Sequence, residues 1–156
     1  MKTPLRLFAC AVLLVLSARA EDLAIIVAKN VAVDHVALPE LRQLLRAEKS
    51  KTPDGLDIVL VTREKGSLER ATVLREIYQL PDAGYEKYFM QKVFTGALSA
   101  APRLLPTANA MRKFVAANPG AIGYIRASDL DDTVKVLAVD GVLPGATGYP
   151  LHLPGA

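Results

Sequence analysis

The chain contains no tryptophan, only two histidines, and one cysteine, Cys10. Two isolated histidines, His35 and His152, do not supply the three or four convergent donors that a zinc site needs. No H-E-x-x-H, C-x-x-C or Walker-type glycine-lysine loop occurs, so the common metal, redox and nucleotide signatures are missing. Ser67 lacks the flanking glycines of a G-x-S-x-G elbow and has no histidine placed by sequence as its base, which argues against a serine hydrolase. With no acid–base pair in view, the chain reads as a non-enzyme with no cofactor.

The one long apolar run lies at the start. MKTPLRLFACAVLLVLSARA has a basic opening, an apolar stretch from Leu7 to Leu16, and Ala18-Arg19-Ala20 before Glu21. This pattern reads as a cleavable secretory signal peptide over residues 1–20, too short in its apolar part for a membrane span. Cys10 sits at the beginning of that run rather than after it, so it is no lipidation site. The cysteine leaves with the leader, and the expected mature chain carries neither disulfide nor thiol chemistry. The leader also holds Lys2, Arg6 and Arg19 and no acid. Its removal leaves 16 basic against 16 acidic residues, a formal net charge of zero, although the full sequence has a pI of about 9.1. Nucleic-acid binding, which needs a clustered basic footprint, loses its support. The remaining 136 residues suit one exported domain, expected in a periplasm.

What is present alternates between strands and helices. Leu23–Ala28 (LAIIVA) reads as a buried strand. Leu38-Pro39-Glu40-Leu41 opens a helix with Leu41, Leu44 and Leu45 on one face. Ser50–Gly55 is a turn with a Pro-Asp-Gly signature, and Asp57–Thr62 (DIVLVT) is a second strand. A helix follows over Ser67–Gln79, with Leu68, Val73, Leu74 and Ile77 as its apolar members. Another starts at Pro81-Asp82, where Tyr85, Tyr88, Phe89, Lys92 and Val93 fall at helical spacing and read as core packing. Residues 97–106 read as a loop. Thr107 caps a helix through Ala117, which Asn118-Pro119-Gly120 stops. Ala121–Ile125 and Val134–Val139 are further strands. The segment from Gly141 to Ala156 holds four glycines and three prolines and reads as an irregular tail, residues 142–156, after a domain over 21–141. The pattern predicts an α/β domain with a largely parallel or mixed sheet.

The stretch VTREKGSLER combines a strand end, a Gly-Ser turn and a helix start. A helix start leaves backbone N–H groups unpaired and suits an oxyanion. Gly66 permits close backbone approach, the Ser67 hydroxyl can donate, and Arg63 can grip two oxygens with its planar fork. The same residues also suit a simple cap, with Ser67 accepting from the helix and Glu69 answering its dipole.

Several stretches in order resemble the phosphate-binding protein of the phosphate ABC transporter, within the type II periplasmic-binding-protein superfamily. They are LAIIVAKNVAV with LPELRQLLRAEKSKTPDG, then VLVTREKGSLERATVLREIY, then VFTG, then NPGAIGYIRASDL before VKVLAVDG. The resemblance runs from about Leu23 to Gly141. It implies one lobe of a type II periplasmic-binding-protein-like fold, a central mixed sheet flanked by helices. The family turn reads R-x-D-G-S-G-T and binds phosphate. By that likeness Arg63, Gly66, Ser67 and the Leu68 amide are the expected ligand-binding residues, and inorganic phosphate or a similar oxyanion is the expected ligand. Lys65 stands where the family has aspartate, Leu68 replaces its second glycine and Glu69 its threonine. A carboxylate at position 69 repels phosphate and can itself take the anion position. Family members close a second lobe over the ligand. The resemblance therefore also leaves room for an envelope partner or self-association over an open half-cleft, or for an interaction module that kept the fold and lost the ligand.

Overall fold

The computed structural model describes residues 20–155. The leader reading and Cys10 fall on residues 1–20, almost wholly outside that range. The backbone is built around β1, Leu23–Ala28, all six residues of which are buried. Side chains alternate across a strand, and here both faces are covered. Leu23, Ile25 and Val27 belong to one apolar cluster, Ala24 and Ile26 to the other. That is why the sequence shows a continuous apolar run at this point rather than an alternating one.

Four elements pack on the first face of β1 or beside it, and one strand set among them turns its apolar side chain to the second. The two-residue strand β2, His35–Val36, leads into helix α1, Leu38–Leu45, which buries Leu41, Leu44 and Leu45. Strand β3, Val61–Arg63, precedes helix α2, Leu68–Val73, which continues as a single π-helical turn over Leu74–Tyr78 and ends at Gln79 in the left-handed region. Helix α3, Asp82–Phe94, buries Tyr85 and Phe89, whose rings meet each other and Tyr78 at centroid distances of 4.7 to 5.8 Å. The second face is closed by β4, Arg103–Leu105, and by helix α4, Ala108–Ala117, which Thr107 caps through its side chain and which buries Met111 and Val115.

Strand β5, Gly123–Arg126, pairs with β1 antiparallel, placing Leu23 opposite Arg126. Strand β6, Val134–Val136, pairs antiparallel with the other edge of β1, and β7, Ala138–Val139, pairs in parallel with β2. β3 and β4 are parallel, and a parallel bridge between Val59 and Ala121 ties that pair to the approach of β5. The sheet is thus mixed, as expected, but broken into short pieces. Of the expected strand Asp57–Thr62, only the end is regular and it extends to Arg63. The expected strand Val134–Val139 is split at Leu137, whose N–H turns back to the Ile25 carbonyl. The loop expected over residues 97–106 contains β4, because Arg103 finds the Leu60 carbonyl at 2.9 Å.

The segment after Gly141 has no helix or strand, in keeping with its composition, yet it is part of the interior. Tyr149, Leu151 and Leu153 are buried in the larger cluster, and the Tyr149 hydroxyl donates to the Leu23 carbonyl at 2.6 Å. Among the described residues, no helix is long and apolar enough to cross a membrane.

Candidate functional site

The expected site residues lie where β3 hands over to α2. Gly66 has φ +84, which only glycine adopts without strain, so the turn closes within three residues. Ser67 caps α2: its hydroxyl oxygen accepts from the Arg70 N–H at 3.2 Å and the hydroxyl donates to the Glu64 carbonyl at 3.0 Å. Leu68 is 38% exposed. Lys65 forms an ion pair with Glu86 on α3.

Arg63 is the unusual member, because its side chain is buried. Its Nη2 lies 3.8 Å from Glu69 Oε1, while its Nε and Nη1 are buried with no hydrogen-bond partner. Burying an N–H without a partner is costly, roughly 1–3 kcal/mol and more for a charged group. Glu69, only 4% exposed, also accepts from Arg126 Nε at 3.1 Å. That bond and the facing charge raise the Arg126 pKa above its ordinary value. Arg126 Nη1 in turn lies 3.6 Å from Glu21 Oε2. One buried carboxylate is therefore shared by guanidinium groups from two strands.

A second buried arginine, Arg70, shapes the base of the turn. Its Nη1 donates to Thr62 Oγ1 at 2.8 Å and to the Arg63 carbonyl at 3.1 Å, and its Nε donates to Asp82 at 2.8 Å. Its guanidinium stacks 4.7 Å over the Tyr85 ring. Arg70 is thus fully engaged in structure, which leaves Arg63 as the cation with spare donors. An open groove of about 850 Å³ runs beside this turn between α3 and β4, with Thr62, Arg70 and Tyr85 at one end and Met90, Phe94 and Leu104 exposed along it.

The Arg63 backbone is fixed from the other side. The Tyr124 hydroxyl on β5 accepts from Arg63 N–H at 3.0 Å. Burial pushes the Tyr124 pKa up to about 12, with the hydrogen bonds to Thr62 and Arg63 opposing that rise. A tyrosine ionises near pH 10 in the unfolded chain. Its contribution is therefore complete below pH 10 and is lost as pH rises from 10 through 12, at about 1.4 kcal/mol per pH unit. Urea midpoints should fall between pH 10 and pH 12, and Tyr124→Phe should make that fall shallower. An unchanged slope in the variant would show that Tyr124 does not carry the effect. Among the described residues, no group of three or more His, Cys, Asp or Glu could hold a metal ion.

No protein-family model matches the chain. It is 32% identical over 132 residues to the phosphate-binding protein PstS of Bacillus subtilis (strain 168), a match covering 78% of this chain and 39% of that protein. In structure it is similar to a phosphate ABC transporter substrate-binding protein of Clostridium perfringens solved with bound phosphate, at a TM-score of 0.68 and 24% identity, covering 86% of this chain and 53% of that one. It is also similar to an ABC-type phosphate transport receptor of Vibrio cholerae, at a TM-score of 0.70 and 18% identity, covering 87% and 56%. The chain has a phosphate-binding-protein-like fold. It spans about half the length of these solved relatives, and less of the curated one.

Within this phosphate-binding-protein-like fold, the structure brings Arg63, Gly66, Ser67 and Leu68 together in one turn, as the sequence predicts for neighbours in the chain. Sequence reasoning missed Arg126. Only the pairing of β5 beside β1 carries it to Glu69, 57 residues away in sequence. Arg70 was also missed, since an arginine on a helix reads as solvated.

Proposed function

We propose that this chain is an exported, non-catalytic binding protein for inorganic phosphate or a similar oxyanion, acting in the periplasm. The ligand would meet the Arg63 fork and the Leu68 backbone N–H across the Gly66 turn, and the Ser67 hydroxyl once it turns from the Glu64 carbonyl to which it now donates. The observation that carries this reading is the buried Arg63 guanidinium with two N–H-bearing nitrogens unmet, in a fold shared with proteins described as phosphate receptors. An interior cation with spare donors is stabilised by an anion that supplies acceptors in their plane. Nothing is asked of the ligand but charge and oxygen geometry, so no bond is made or broken.

Calorimetric titration of the purified protein with phosphate, then sulfate, at low salt tests the reading. Saturable heat is expected from the wild type. Arg63→Ala should weaken binding by about 10- to 100-fold, the range of one or two charge-assisted hydrogen bonds, with circular dichroism confirming that the variant is folded. A wild type silent to millimolar phosphate would sink the proposal and favour an interaction module that has lost the ligand.

A further inference from the structure

We infer that the Glu69 carboxylate is a built-in occupant of the oxyanion site, and that Arg126 is the site's second cationic wall. The inference rests on the phosphate-binding reading and extends it. A glutamate in the first turn of a helix normally stays in water, where it answers the helix dipole at no desolvation cost. Glu69 instead lies in the interior between β3 and β5. A buried carboxylate persists only where cations compensate it. Two do, and both approach the same oxygen, Oε1, from Arg63 at 3.8 Å and Arg126 at 3.1 Å.

The match is incomplete in a telling way. The 3.8 Å contact is too long for a hydrogen bond, and it leaves Arg63 Nε and Nη1 unmet. One carboxylate has too few oxygens, placed too far from Arg63, to satisfy both forks. A tetrahedral oxyanion has four oxygens and no tether to the helix. The charges point the same way. Arg70 is matched by Asp82, so the remaining cluster is Arg63 and Arg126 against Glu69 and Glu21. With Glu69 inside, it is neutral. With Glu69 rotated out, it carries one net positive charge, enough to draw in a monoanion.

Ligand and Glu69 then compete for one place. A protein whose receptive state is a small fraction of the population shows an affinity reduced by that fraction. Neutralising or removing Glu69 should lift the restraint, and the gain should depend on Arg126.

The test is titration with inorganic phosphate of the wild type, Glu69→Ala, Glu69→Gln and Glu69→Ala with Arg126→Met. Glu69→Ala is expected to bind phosphate 10- to 100-fold more tightly than the wild type, and the added Arg126→Met to cancel most of that gain. Phosphate should also raise the melting temperature of Glu69→Ala by more than it raises that of the wild type. If Glu69→Ala fails to fold, Glu69→Gln retains the shape and one acceptor for Arg126, and it too should bind more tightly. A wild type that binds phosphate through Arg63, with neither Glu69 variant any tighter, would overturn this inference and leave the proposed function standing. A silent wild type beside a Glu69→Ala variant that binds through Arg126 would do the reverse. Silence from all four, or a gain indifferent to Arg126→Met, would overturn the inference as well.

Discussion

Deleting residues 148–156 should abolish cooperative folding. The segment looks dispensable by composition, but it contributes Tyr149, Leu151 and Leu153, at 1%, 0% and 3% exposure, to the larger apolar cluster. Removing a buried large side chain typically costs about 2–5 kcal/mol, so three together cost roughly 6–15 kcal/mol. A domain of this size has only about 5–15 kcal/mol of stability in total. The deletion also strips the Leu23 N–H of its acceptor, the Leu151 carbonyl at 3.0 Å, and the Leu23 carbonyl of the Tyr149 hydroxyl. β1 would lose cover on the face that organises the fold. Thermal melts followed by circular dichroism check this. A sharp transition retained in the deleted chain would mean that the segment only rests on the core.

Gly120→Ala is the second large effect. A Cβ built at Gly120 lies 2.0 Å from the Asp57 carbonyl oxygen, closer than any real contact. The obstacle is backbone, so no rotamer change relieves it. The same residue accepts from the Val59 N–H at 2.9 Å, next to the bridge between Val59 and Ala121. A methyl group there must push the approach to β3 away from β5, and overpacking of this kind costs about 1–3 kcal/mol or more. The melting temperature should drop by roughly 2–12 °C on the usual scaling for a chain of this length. Gly155→Ala, where nothing lies within 4 Å, is the matched control. Equal melting of the two variants would show that the strand approach is elastic.

Where local pattern and tertiary packing agree, the sequence was legible. LAIIVA is strand over the residues expected, Leu41, Leu44 and Leu45 are the buried face of α1, and Thr107 caps the helix it was expected to cap. The illegible parts are those that a distant partner decides. β2, β4 and β7 are two or three residues long, too short for any periodicity, and exist because a neighbouring strand presents matching groups. The helix expected over Ser67–Gln79 is α only from Leu68 to Val73. Its last turn is π and keeps Leu74 and Ile77 buried as expected, whereas Leu68, counted among its apolar members, points outward. Gly120 read only as a helix stop, although a second strand docks on it. At the site, the Arg63 to Leu68 turn was legible because it is local. The position of Glu69 between two cations was not, because Arg126 arrives only through the register of β5 on β1.

The docking of residues 149–153 beside residues 21–23 has a further consequence. Leu153 N–H donates to the Glu21 carbonyl, and Asp22 bridges His152 in antiparallel fashion, so the polypeptide enters and leaves this lobe about one strand spacing apart, roughly 5 Å. A unit whose entry and exit adjoin is portable. It can be spliced into a surface loop of a host polypeptide, or lifted out of one, through a single narrow doorway and without rerouting its interior.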